Sequence, residues 1–159
     1  MGAEAAGVPA SGDPGLPVDF KNGDSRYQVE VCAPCHSRRH RVSGEDEVGT
    51  PYLDDFMPEL LREGLYHADG QVDGEVYVYG SFLQSKMYNR GVRCSDCHES
   101  HGAVLWAAGD ALCVRCHNAP PDPRFPTLLA KRYDTPEHHF HPQDSTGAAC
   151  VACHMPVKT

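Results

Sequence analysis

Four short segments of the chain repeat the spacing Cys-x-x-Cys-His, which places two thiols beside one imidazole. They are Cys32-Ala33-Pro34-Cys35-His36, Cys94-Ser95-Asp96-Cys97-His98, Cys113-Val114-Arg115-Cys116-His117 and Cys150-Val151-Ala152-Cys153-His154. Two thiols at this spacing can form thioethers with the vinyl groups of a porphyrin, and the adjacent histidine can bind the iron from one face. All 8 cysteines lie in these segments. The pattern predicts four covalently attached c-type haems, each with the histidine of its motif as proximal ligand.

Cysteine pairs at this spacing also occur in other chemistries. Without their histidines, the second and third pairs have the spacing of a zinc ribbon, and any such pair can be a redox dithiol or a disulfide. Neither alternative accounts for a histidine after every pair. Histidine is 10 of 159 residues, so four such coincidences have a chance on the order of one in a hundred thousand. The haem interpretation is therefore preferred.

Six histidines lie outside the motifs and are candidates for the second axial ligand. They are His40, His67, His101, His138, His139 and His141. Imidazole suits iron, and a second histidine would make each haem six-coordinate and low-spin. Methionine is the rival distal ligand; Met57 and Met87 are its candidates, because Met155 follows a proximal histidine too closely to reach the far face. We expect mainly bis-histidine haems.

Spacing limits two of these candidates. His40 is four residues beyond His36, and His101 is three beyond His98. If those stretches are helical, each pair lies on one helix face. The two ligands of one iron must approach from opposite faces of the porphyrin. On this argument His40 and His101 can serve only a neighbouring haem, and His101 is the best candidate for joining two haems.

The rest of the chain is rich in loop-forming residues. Gly and Pro are 15 and 13 of the 159 residues, so the porphyrins are expected to supply much of the apolar core. Residues 1–25 resemble a linker, and residues 26–159 form one tetrahaem domain. The predicted class is mostly α with extensive loops and one short β-hairpin, a compact tetrahaem cytochrome organised around haem packing. Predicted elements are helices at 51–63, 81–90, from Asp110, from Pro136 and at 150–154, with a strand or hairpin at 76–79.

Charge and hydropathy exclude several functions. The formal net charge is −8, and each oxidised haem adds about −1 through its propionates, giving about −12 for four haems. Nucleic-acid recognition needs a basic surface, and no apolar run approaches the length of a membrane span, about 18 residues. The first residues lack the basic start and apolar stretch of an export signal. Because haem c is attached outside the cytoplasm, we expect a periplasmic or extracellular protein, processed or cut from a longer one.

Several stretches resemble the multihaem c-type cytochrome superfamily related to hydroxylamine oxidoreductase and pentahaem nitrite reductase. The resemblance is greatest to the haem-binding part of bacterial multihaem cytochromes joined to tetratricopeptide repeats. It rests on Val31 to Arg39, Gly64 to Gly70, Tyr79 to Tyr88, Val92 to His98, Tyr133 to His141 and Cys153 to Pro156. The resemblance implies that the second and third motifs hold a stacked haem pair. Catalytic relatives use an open haem, often with a lysine proximal ligand, whereas all four motifs here end in histidine.

Together these observations predict an electron carrier, with redox proteins as its partners. An enzyme remains open: a small reductase or peroxidase would act at one haem that lacks a distal ligand. An assembly module is also open, in which copies of the chain or other multihaem modules continue an electron path into a filament or larger conduit. We expect neither nucleic-acid binding nor membrane insertion.

Overall fold

The computed structural model describes residues 24–44, 50–100, 102 and 104–156. Nearly all of the predicted linker, and His101, lie outside the described residues. The chain divides after Cys94 into two compact units. Among the described residues, no helix has both the length and the apolar character needed to cross a bilayer.

The first unit begins with its longest described element, helix α1 (Ser25–His36). The Asp24 side chain caps it by accepting the backbone N–H of Arg26 at 3.1 Å, which satisfies one of the free donors of the first turn. The helix ends where Ser37 adopts extended backbone angles, φ −134° and ψ 151°. The first Cys-x-x-Cys-His motif therefore forms the last turn and a half of α1.

A buried hydrogen-bond pair fixes the end of α1 to the aromatic core of this unit. The Ser37 hydroxyl donates to the Ala33 carbonyl at 2.6 Å and lies 2.7 Å from the Tyr52 hydroxyl. Tyr52 is 2 % exposed. Its ring packs on those of Phe56 and Tyr79, with centroids 5.5 and 5.0 Å away. This cluster holds the first motif in place.

We expect Ser37→Ala to lower the free energy of unfolding by about 1–3 kcal/mol, because the buried Tyr52 hydroxyl would lose its partner. Denaturant unfolding of the holoprotein measures the change. Ser81→Ala is the matched control: it also removes a hydroxyl bonded to a carbonyl, Val78 O at 3.0 Å, but in an exposed setting. Its effect should stay within about 0.5 kcal/mol. Equal losses for the two variants would contradict the role given to the buried pair.

The helix predicted at 51–63 is wrong. Only Tyr52–Asp55 is helical (α2); Phe56–Pro58 is a strand (β2) that pairs antiparallel with Arg39–Arg41 (β1). The residue before a proline is biased towards extended angles, so Pro58 disfavours helix at Met57. Strand pairing turns the Phe56 ring beneath the guanidinium groups of Arg39 and Arg41, at 5.0 and 5.2 Å.

The strand predicted at 76–79 is also wrong. Tyr77 has φ +60°, a left-handed angle that interrupts an extended run. Helix α3 (Tyr79–Leu83) follows, and then α4 (Lys86–Asn89). The helix predicted at 81–90 is thus divided in two, because the Ser85 side chain accepts the Tyr88 N–H and starts a new helix.

Short elements around the other three motifs make up the second unit and its boundary. They are helix α5 (Cys94–Cys97), the hairpin of β3 (His98–Glu99) and β4 (Val104–Leu105), and helices α6 (Asp110–Cys113), α7 (Pro136–His139) and α8 (Cys150–His154). The predicted helix starts at Asp110 and Pro136 and the helical turn at 150–154 are confirmed. Short antiparallel pairing does occur in the described chain, but between His98–Glu99 and Val104–Leu105 rather than at 76–79.

Candidate haem sites

All four motifs place their cysteines on a helical turn, although each does so differently. Motif one ends α1, and motif four is α8 itself. In motif three, α6 ends at Cys113, yet the N–H groups of Cys116 and His117 both bond the Cys113 carbonyl, at 3.2 and 3.0 Å. In motif two the helix ends at Cys97, and His98 begins β3. Positions three apart on a turn share a face, so the thiols of each pair point the same way.

The cysteines are available for thioether chemistry. No disulfide joins any of the eight, all of which lie in the described residues. Burial and the neighbouring Asp110 raise the pKa of Cys150 to about 12. Burial, with Asp122 nearby, also raises the pKa of Cys116. Both sulfurs are therefore neutral thiols in the folded chain.

Zinc is the main alternative occupant of such cysteines. In the described ranges, no group of three or more His, Cys, Asp or Glu side chains is placed to hold a metal ion. A structural zinc site needs four such ligands together, whereas a haem iron takes only two axial ligands from the protein. The arrangement of these side chains fits haem.

Thiols of different motifs contact each other. Within the first unit, a hydrogen bond with the Cys94 thiol lowers the pKa of Cys32. Within the second unit, Cys150 is hydrogen-bonded to Cys113, and its backbone N–H donates to Asp110 Oδ1 at 2.9 Å. The thiol of Cys32 in motif one thus meets that of Cys94, and motif three meets motif four.

Trp106 joins motif two to motif three. Its indole N–H donates to the Ser95 carbonyl at 2.8 Å, and its backbone N–H donates to the Cys97 carbonyl at 3.0 Å. The Arg115 guanidinium lies 5.8 Å from the ring centroid. Trp106 was missed in the sequence analysis, although the single Trp between two closely spaced motifs was a usable signal.

Arg124 makes a second connection between the same motifs. Its guanidinium binds the carboxylates of Asp96, at 2.5 Å, and Asp122, at 2.8 Å. Asp122 also accepts the Cys116 thiol at 3.6 Å. The hydrogen bonds from Arg124 lower the pKa of Asp122 to about 2, so this carboxylate stays ionised at any ordinary pH.

The prediction that His36 and His40 share one helix face is wrong. His36 ends α1, and His40 lies in β1 opposite Met57, so the two histidines do not share a helix. His98 begins a strand, and His101 lies outside the described residues. Spacing alone therefore no longer prevents His40 from facing its own motif's haem. His40 is exposed.

His67 is only partly available as a ligand. Its Nε2 lies 3.3 Å from a carboxylate oxygen of Asp73, and its side chain is 28 % exposed. The backbone around it forms a tight turn in which His67 N–H donates to the Gln71 carbonyl at 2.8 Å. Iron binding through Nε2 would replace the contact with Asp73.

The rings of His138 and of His154, the histidine of the fourth motif, have the separation and parallel planes that two ligands of one iron would have. Their ring centroids are 6.1 Å apart, and their planes differ by 5°. Each metal–nitrogen bond is about 2.0–2.1 Å, so two imidazoles bound to one iron through Nε2 from opposite faces have centroids about 6 Å apart. The same centroid distance also fits two offset rings in direct contact. The His138→Ala variant distinguishes the two arrangements.

His139 and His141 form another close pair, with centroids 6.4 Å apart. Neither belongs to a motif, so this pair lacks the proximal ligand of a c-type haem. The Nε2 atom of His139 is buried without a hydrogen-bond partner, as are Asp134 Oδ1 and Ser145 Oγ. All three residues line one polar cleft of about 120 Å³. His141 packs its ring on Gly147.

Apolar side chains are exposed beside the motifs. Leu105, Trp106, Val151 and Met155 are 48, 48, 49 and 62 % exposed. An apolar surface of this kind is what a porphyrin would cover. The paired thiols, the adjacent imidazoles and this surface together fit covalently bound haem c.

Comparison with known proteins agrees with this chemistry. A family described as a doubled CXXCH motif matches residues 87–121, which include motifs two and three. No curated protein and no solved structure matches the chain. The paired motifs indicate covalently bound haem c and suggest a multihaem c-type cytochrome. Cytochromes with such motifs are typically exported, and haem c binding is consistent with electron transfer.

Proposed function

We propose that this chain is a tetrahaem electron carrier that acts in the periplasm or outside the cell. The observation that carries the proposal is the set of four Cys-x-x-Cys-His motifs, which use every cysteine in the chain. Residues 26–159 are the haem-binding part, with mostly α structure and long loops around the haems, and residues 1–25 are a linker. The stretches that resemble the superfamily of hydroxylamine oxidoreductase and pentahaem nitrite reductase support this assignment.

The haems are mainly bis-histidine. The best-supported pair is His154 with His138, because their rings have the separation and parallel planes that a shared iron requires. Distal ligands of the other three haems come from the remaining candidates, which are His40, His67, His101, His139 and His141. The buried, unpartnered Nε2 of His139 makes it the next best supported.

When bound, haem supplies one-electron Fe(III)/Fe(II) chemistry. The chain's own residues set where that chemistry occurs. Contacts between the thiols of Cys32 and Cys94, and of Cys113 and Cys150, bring neighbouring attachment points together. Close attachment points favour electron exchange between neighbouring haems. The exchange partners are other redox proteins, or multihaem modules that include copies of this chain.

Electron paramagnetic resonance of the oxidised holoprotein tests the ligation. Low-spin ferric signals should account for nearly all of the iron, because each iron would carry two imidazoles. A major high-spin signal would contradict the bis-histidine proposal and favour a reductase or peroxidase with one open haem.

A further inference from the structure

A lysine faces the ring nitrogen of His138 that points away from the proposed iron. Lys131 Nζ lies 3.4 Å from His138 Nδ1. The ammonium also lies 5.8 Å from the centroid of the Tyr133 ring, and that ring packs perpendicular to His138, with centroids 4.9 Å apart. Lys131, Tyr133 and His138 therefore form one cluster on the distal side of the fourth motif.

Lys131 is a hydrogen-bond donor, whereas the usual partner of a metal-bound histidine at Nδ1 is an acceptor. A histidine that binds metal through Nε2 carries its remaining proton on Nδ1 and normally donates it to a carboxylate or carbonyl, which makes the ligand more basic. An ammonium group has three donors and no acceptor. The Lys131 charge therefore opposes donation from Nδ1 and withdraws electron density from the imidazole. Both effects weaken the bond from His138 to a ferric iron more than to a ferrous one.

We propose that Lys131 makes His138 a weak, replaceable ligand, so that the fourth haem can take up a small external ligand. The inference rests on the proposed function, since it requires a haem at Cys150 and Cys153 with His138 as its distal ligand. Cyanide is the probe, because it binds ferric iron and competes directly with imidazole. The same weakening raises the midpoint potential of this haem.

The test compares Lys131→Glu with Arg132→Gln and Lys131→Arg in the oxidised holoprotein. Lys131→Glu supplies an acceptor for the Nδ1 proton. We expect its cyanide affinity at one haem to fall about threefold to tenfold. If the one-electron equilibrium of that haem shifts tenfold, its midpoint potential should fall by about 59 mV. Arg132→Gln removes a neighbouring positive charge that lies 3.9 Å from Asp134. It should therefore change neither the cyanide affinity nor the midpoint potential. Lys131→Arg keeps the charge and should retain the parent affinity.

A His138→Ala background identifies the haem concerned. If Lys131 acts through His138, Lys131→Glu should have no further effect in that background, whereas independent effects would add. The inference is overturned if Lys131→Glu leaves cyanide affinity and potential unchanged, if Arg132→Gln has an equal effect, or if the Lys131 effect persists without His138. The proposed function would fail differently, through missing haems or high-spin iron in the unsubstituted protein.

Discussion

His138→Ala is expected to convert one haem in four from low spin to high spin while all four haems stay attached. The His154 and His138 rings are 6.1 Å apart and nearly parallel, and deletion of one imidazole would leave the iron with a single strong ligand. Electron paramagnetic resonance should assign about a quarter of the iron to the new signal. The variant should also be less stable, because a metal–ligand bond contributes to folding.

The matched control for this variant is Glu137→Ala. Glu137 is the adjacent residue on α7 and is exposed, but it carries no imidazole. Its spectrum should match that of the parent protein. An unchanged low-spin spectrum in His138→Ala would show that the two rings are stacked without a shared iron. The distal ligand of the fourth haem would then come from another of the candidate histidines.

Replacement of both Cys150 and Cys153 by serine should have the second large effect. The expected product carries three haems, with a mass lower by about 0.6 kDa from the lost cofactor. Helix α8 has five residues, too few to be stable alone, and Val151 within it and Met155 at its C-terminal cap are both exposed. Without a porphyrin to cover them, α8 should lose its position against Asp110, and the denaturation midpoint should fall further than in Ser37→Ala.

Val151→Ala serves as the control for the cysteine replacement. It shortens an apolar side chain on the same helix but keeps both thiols, so four haems should remain. Unfolding of the two proteins can be followed by the haem absorbance and by circular dichroism. A double-serine variant with three haems and parent-like stability would contradict the view that the porphyrins supply much of the core.

Local signals in the sequence predicted local structure well. Thr135-Pro136 and Gly109-Asp110 are start signals that act within one turn, and both helices begin where they indicate. The motifs themselves are equally local, because thioether attachment needs only two cysteines and a histidine on one turn. Helix starts and haem motifs could therefore be predicted, because they depend only on residues that are close in the sequence.

Predictions that depended on distant parts of the chain were wrong or incomplete. The apolar spacing at 51–63 suggested a helix, but pairing with Arg39–Arg41 makes Phe56–Pro58 a strand. The prediction that His40 shares a helix face with His36 required a helix through both residues, but α1 ends at His36. No sequence pattern indicated that His138 would lie against His154, or that Lys131, in the loop before α7, would lie against His138.

The haem count tests the central claim most directly. Intact mass spectrometry of the denatured, exported protein reports only covalently attached groups. The proposal predicts the polypeptide mass plus four haems, an addition of about 2.5 kDa, with no thiol left to alkylate. A mass equal to the bare polypeptide, with eight thiols that alkylate after removal of zinc, would contradict it.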